Sequence, residues 1–274
     1  MLPEDALVSA IARAVGPPSG GVALGIGDDG AVLDDGTVAS TDVLVEGVHF
    51  DLARMTPRDV GHRAAAANLS DLAAMGAWPV ALLAAFGLPP GFEDAAEIAA
   101  GMSEHGVPIA GGDLSRAPVL IVSVTAIGRS ERPVRRSGGR PGDVLVVTGE
   151  LGGQAAAGYA GRITPRIEEG CALAAVATAM IDLSDGIATD AERLARASGT
   201  GAVVELERLP RAPGATVEQA AAGGEDYELL AALPPGAEPP VSVTIVGRLT
   251  AEPDVLLLDA TGAPRTLRGW DHFA

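Results

Sequence analysis

The chain has 274 residues, with Lys+Arg 19 against Asp+Glu 36 and a net charge of −17 at pH 7. All of its cationic side chains other than His are Arg, which excludes a Schiff-base or phosphate-gripping lysine, and the acidity excludes a nucleic-acid partner, whose phosphates need clustered cations. Phosphorylated small molecules stay open, because bound divalent cations invert the local sign. Apolar residues make up 47% but aromatics only 3%, so the core is expected to be Ala, Val, Leu and Ile. One cysteine, Cys171, allows neither an internal disulfide nor a Cys-based zinc site and points to a reducing cytosol. The first turn carries Glu4 and Asp5 with no basic stretch before an apolar run, so no export signal is expected. The apolar runs stop short of a membrane span, so no membrane partner is expected.

In chain order, residues 3–15 read as a short helix with Arg13 near its end. Residues 22–33 and 37–47 read as strands broken by acidic turns. A long helix is predicted over 56–77, with Thr56 as N-cap, Pro57 at the first helical position and Gly76 at the end. A buried strand follows at 79–88, a helix at 92–105, a strand and turn at 107–113, and a strand at 117–128. Residues 129–143, rich in Arg, Gly and Pro, read as a linker. Beyond it come a strand at 143–149, helices at 151–160, 166–180 and 185–198, a strand at 202–207, a helix at 216–224, and strands at 227–233, 241–247 and 254–259. Both halves mix helix and strand, so the fold class is α/β in two domains, 1–130 and 131–274.

The aspartates stand beside glycines at the ends of apolar segments: GIGDDGAV (Asp28, Asp29), STDVLVEGVHF (Asp42), IAGGDLSR (Asp113) and IDLSDG (Asp182, Asp185). Strand ends and the turns after them are where α/β enzymes place functional groups. Asp71 differs, because it lies inside an apolar helix that has no intrinsic use for a carboxylate. For any one Asp alone, helix capping and metal binding stand as alternatives. As a set without Lys, the carboxylates favour a hard cation such as Mg2+, which keeps waters and phosphates as ligands. The turns IAGGD and SGGRPGD let backbone N–H groups approach phosphates. There is no GxxxxGK[ST] motif, which excludes a P-loop kinase. Arg135, Arg136 and Arg140 are either a polyphosphate clamp or an exposed basic linker. His49 in EGVHF, Glu225 in GGEDYELL and Trp270 in RGWDHF each admit both a ligand-facing and a structural role. His62, His105 and Cys171 read as structural.

Taken together, GIGDDGAV, STDVLVEGVHF, NLSDLAAMGA, GGDLSR, RSGGRPGD, IDLSDG, GGEDYELL and GWDHF follow one another in the order found in the thiamine-monophosphate kinase family, which the chain resembles over nearly its whole length. The resemblance implies a two-domain fold of the aminoimidazole ribonucleotide synthetase-like superfamily, with N-terminal strands pairing across a homodimer. It implies ATP-dependent phosphorylation of thiamine monophosphate to the diphosphate, with several Mg2+ ions and ATP as co-substrate, in the cytoplasm. It assigns Asp29, Ser40, Thr41, Asp42, Asp71, Asp113, Asp182 and Asp185 to metal, and Gly112, Asp113, Arg136 and Ser184 to ATP. It assigns His49 and Glu225 to the thiamine phosphate and Trp270, as substrate-binding, to the neighbourhood of the thiamine ring. A substrate phosphate is already an anionic nucleophile near neutral pH, so the expected mechanism is direct transfer without a general base or a phosphoenzyme. The competing readings are another ATP-using synthetase of the superfamily and a weakly active nucleotide-binding regulator. Leu114 stands where the family commonly has Thr, and the segment between GELGG and TPRIEEG is shorter than the family's.

Overall fold

The computed structural model describes residues 4–270; the Asp-His-Phe of the terminal GWDHF motif lies outside the described residues. The first half contains α1 (Glu4–Val15), β1 (Val22–Leu24), β2 (Ala31–Leu33), β3 (Thr37–Val45), α2 (Pro57–Ala74), β4 (Trp78–Leu88), α3 (Ala95–Ser103), β5 (Ile109–Arg116) and β6 (Ile121–Arg129). Its strands form one sheet in the order β1-β2-β3-β6-β4-β5, antiparallel except for the β4–β5 pair. The second half contains β7 (Val144–Val147), α4 (Gly153–Ala156), α5 (Ile167–Leu173), β8 (Ala179–Asp182), α6 (Ile187–Ser198), β9 (Gly201–Glu205), α7 (Val217–Ala222), β10 (Leu229–Leu233), β11 (Thr244–Thr250), β12 (Val255–Leu258) and β13 (Pro264–Arg265). Its sheet runs β13-β12-β9-β11-β7-β10-β8, with only β12 and β9 parallel among the paired strands.

Helix α2 is the element that joins the two halves. It starts where Thr56 accepts a hydrogen bond from Asp59 N at 3.2 Å, with Pro57 in the first turn. It ends where Gly76, at φ 61°, takes the left-handed conformation that lets the chain turn into β4. Glycines let α2 and α3 approach closely: a Cβ on Gly61 of α2 would stand 1.9 Å from the Ile98 carbonyl oxygen, and one on Gly101 of α3 would stand 1.9 Å from that of Arg58. Larger side chains would force α2 and α3 apart. One flank of α2 buries Leu69 and Leu72 against Leu82, Val122 and Val124 of the first sheet. Each such fully buried side chain contributes about 1.5–3 kcal/mol. Ala73 and Ala74, near its C-terminus, pack with Val146, Leu173, Met180 and Leu229 of the second half. A helix buried on several sides favours small residues, as in its run Ala64 to Ala67, and its buried polar residues Arg63, Asn68 and Ser70 are each hydrogen-bonded.

Several expectations need correction. The helix expected over 166–180 stops at Leu173, and Ala179–Asp182 instead forms β8. That strand is buried at every position, so its four residues lack the alternation that marks a half-exposed strand. The helix expected over 151–160 shrinks to Gly153–Ala156. The turn expected at IAGGD is part of a continuous strand, β5, which runs on to Arg116.

Candidate active site

Asp29, Asp71 and Asp182 place one carboxylate oxygen each within 4.8 Å of one another. They come from three separate elements. Asp29 lies in the Gly-rich turn before β2, Asp71 on α2, and Asp182 at the end of β8. Two small hydroxyls hold the group in place. Ser40 donates to Asp71 Oδ2, and Ser70 donates to Asp182 Oδ2 at 2.8 Å. Asp42 adjoins the group: its backbone N donates to Asn68 Oδ1 at 3.0 Å, and its charge acts on Asp71. Asn68 is fully buried, and its Nδ2 donates to the Ala64 carbonyl at 2.9 Å.

The cluster is electrostatically incomplete. Arg136 forks onto Asp29 Oδ1 through Nε at 3.1 Å and Nη2 at 2.6 Å, while Asp29 Oδ2 is buried and unpartnered. Burial, and then the charges of Asp42, Asp182 and Asp29, push the Asp71 carboxyl well above the usual carboxylate range. Burial, with Asp29 and Asp190 next, does the same to Asp182. Asp28 is pushed up to about 6 by burial and Asp29, although it accepts the backbone N–H groups of Asp29 and Arg136. Leaving a buried carboxylate uncompensated costs on the order of several kcal/mol. The orphaned Asp29 oxygen and the convergence of hard oxygen donors fit a divalent cation such as Mg2+.

Not every expected residue joins this centre. Ser40 and Asp42 share the face of β3 that looks toward α2. Thr41 lies on the opposite face, donating to the Val124 carbonyl at 3.1 Å and sharing a hydrogen bond with the Thr125 hydroxyl at 3.0 Å. Gly112 and Asp113 lie on the exposed edge strand β5 and line a shallow cavity of about 330 Å3 with Phe86, Ala99 and Leu114. A Cβ on Gly112 would sit 1.7 Å from the Ala84 carbonyl oxygen, so only glycine keeps that strand pair closed. Asp185 pairs with Arg193, and its carbonyl accepts from Trp270 N at 3.1 Å. The Trp270 residue is 55% exposed. The Ser184 carbonyl accepts from Glu225 N at 2.6 Å, tying the GGEDYE segment to the turn after β8. His49 Nδ1 accepts from Val45 N at 3.0 Å, which leaves Nε2 as the protonated nitrogen of the neutral ring.

His62 and His105 stack with ring centroids 4.2 Å apart, in keeping with structural roles. Cys171 is half-buried, and burial pushes its thiol pKa up, away from a nucleophile's range. Sequence reasoning missed Asn68, Ser70 and Arg63. All three lie on α2, and only Asn68, three residues before Asp71, carried a spacing signal.

Acidic donors converging from both halves on a mixed α/β framework define a class. Residues 27–130 match the family model described as AIR synthase related protein, N-terminal domain. The chain is 39% identical to the thiamine-monophosphate kinase of Halobacterium salinarum, covering 92% of this chain and 96% of that protein. It is 37% identical to the Salmonella typhimurium enzyme of the same name, over 92% and 93% of the two chains. A solved structure described as AaThiL complexed with AMPPCP and TMP superposes with a TM-score of 0.89 at 30% identity, covering 99% of this chain and 97% of that one. The chain belongs to the thiamine-monophosphate kinase family.

Proposed function

We propose that this chain phosphorylates thiamine monophosphate to thiamine diphosphate at the expense of ATP, by direct in-line transfer. The observation that carries the reading is the group of three carboxylates within 4.8 Å, drawn from both halves of the chain and only partly neutralised by Arg136. Its family membership, and a relative solved with an ATP analogue and TMP, support the substrate pair. Residues 1–130 act as the unit that supplies Asp29, Ser40, Asp42 and Asp71, and residues 131–274 as the unit that supplies Arg136, Asp182, Ser184, Asp185 and Glu225.

Asp29, Asp71 and Asp182, with Asp42, Asp113 and Asp185 as further ligands, would hold Mg2+ ions, and these would supply the charge neutralisation that lets one phosphate approach another. Arg136 adds a fixed cation beside Asp29 and faces the nucleotide phosphates together with Gly112 and Ser184. His49, Glu225 and Trp270 face the acceptor. An oxygen of the acceptor phosphate forms the new bond to the γ-phosphorus as the bond to the β,γ-bridging oxygen breaks, and ADP leaves. No side chain is phosphorylated. The acceptor oxygen is already ionised, so what the chain contributes is alignment and a preorganised field.

Thr41 and Asp113 lie away from the carboxylate group within one chain. The reading therefore includes a homodimer, in which a second copy covers the side of the first sheet opposite α2. Val43 and Leu83, 49% and 39% exposed, lie on that side. The cytoplasm, where ATP is available and the lone Cys171 stays reduced, is the proposed location.

Incubation with ATP, Mg2+ and thiamine monophosphate, followed by mass identification of products, tests the reaction. Thiamine diphosphate and ADP should appear in equal amounts, and only without EDTA. ATP binding with no diphosphate formed would overturn the reading.

A further inference from the structure

A buried cation that the acidic centre does not use lies one helical stretch away from it. Arg63 stands in the middle of α2 with its side chain only 3% exposed. Its Nη1 donates to Glu225 Oε2. Its Nη2 donates to Gln154 Oε1 at 3.1 Å and to the carbonyls of Tyr159 and Gly161 at 2.7 and 3.3 Å. All four acceptors belong to the second half of the chain, while Arg63 belongs to the first. A buried guanidinium is costly unless such a set of acceptors surrounds it.

The backbone it grips is unusual. Tyr159, Glu225 and Tyr227 have φ of 63°, 57° and 53°, a region that non-glycine residues rarely adopt. Such conformations persist where surrounding contacts over-determine them. Arg63 is the common partner of two of these three residues, and Tyr159 Oη donates to the Gly223 carbonyl at 2.9 Å, tying the two segments to each other. Asp226, between Glu225 and Tyr227, turns away and accepts the N–H groups of Gly152 and Gln154 at 2.6 and 3.1 Å. Glu225 and the 154–161 segment thus form one wall that Arg63 ties to α2.

We propose that Arg63 is a positioning residue for the acceptor side: it orients the Glu225 carboxylate and holds the 154–161 loop, and thereby sets the affinity for the thiamine phosphate without taking part in transfer. This rests on the reading that Glu225 faces the acceptor. A purely structural fastener would lower stability and scale all kinetic constants together. A positioning residue splits them.

Steady-state kinetics on Arg63→Lys, Arg63→Met, Glu225→Gln and the Met/Gln double variant test it, with the wild type in parallel and melting temperature recorded for each. Arg63→Met should raise KM for thiamine monophosphate about tenfold or more, with kcat and KM for ATP within about twofold. Arg63→Lys, which keeps the charge but not the fork, should fall between it and the wild type. The double variant should be no worse than the worse single one, because both remove the same contact. Should Arg63→Met fail to fold, the same split on Arg63→Lys decides. Equal changes in kcat and both KM values, an unchanged acceptor KM, or multiplicative effects in the double variant would overturn the inference. A wild type that makes no thiamine diphosphate would instead overturn the functional reading beneath it.

Discussion

Asp71 shows how one residue carries both the cost and the purpose of the site. It sits on a helix packed between two sheets, and burial together with three neighbouring carboxylates opposes its ionisation. Replacing it by Asn keeps the shape and an acceptor for the Ser40 hydroxyl while removing one charge. Turnover should fall by at least about a hundredfold. The fold should stay intact, with a metal-free melting temperature equal to or above that of the wild type, because a repelling charge has gone. Unchanged turnover would remove Asp71 from the proposed cation site. The oddity of this carboxylate was legible in the sequence because an apolar helix has no other use for it. Arg63 and Ser70 on the same helix were not. Each reads as an ordinary polar helix residue until its partner is known, and those partners, Glu225 and Asp182, lie 162 and 112 residues further along the chain.

At the scale of elements, legibility followed periodicity and capping. Helix α2 was readable from Thr56, Pro57 and Gly76, and β4 from its apolar run. Strands β5 and β8 were misread for opposite reasons. In β5 the Gly-Gly-Asp run resembles a turn, yet the pairing of Gly112 with Ala84 leaves no room for a side chain. In β8 full burial erased the alternation that marks a strand. The first sheet has a further property that no local pattern announces. Alternate residues of β3 and β6 face α2 and are buried, while Val43 and Leu83 on the other side remain 49% and 39% exposed. Under the proposed homodimer this side is covered, so the wild type should show twice the chain mass by light scattering. Leu83→Glu should shift the population toward monomer while retaining the circular dichroism of the wild type, since the side chain is not part of the core. A wild type that scatters as a monomer would count against the dimer.

For the whole molecule, the buried acids make stability depend on pH and on divalent cations together. Burial and Asp185 push Asp190 up to about 8, and Asp29, Asp71 and Asp182 are displaced in the same direction from the ordinary value of 3.8. A carboxyl whose pKa is higher folded than unfolded binds more protons in the folded state. Its contribution is fully present below about pH 4 and is lost as the pH rises through the folded value. His105 acts in the opposite sense, because burial lowers its pKa from 6.5, so its contribution is lost as the pH falls through that value. The range above about pH 6.5 therefore isolates the acids. In EDTA, the melting temperature should fall between about pH 6.5 and 8.5. Mg2+ binds the ionised carboxylates only, so its stabilising increment should grow over the same range. Thermal melts with and without Mg2+ across these pH values check both slopes. Asp71→Asn should flatten the EDTA slope and shrink the Mg2+ increment together, because one buried charge underlies both. A flat profile in EDTA with a constant Mg2+ increment would mean that these carboxylates are neither strained by one another nor relieved by the cation.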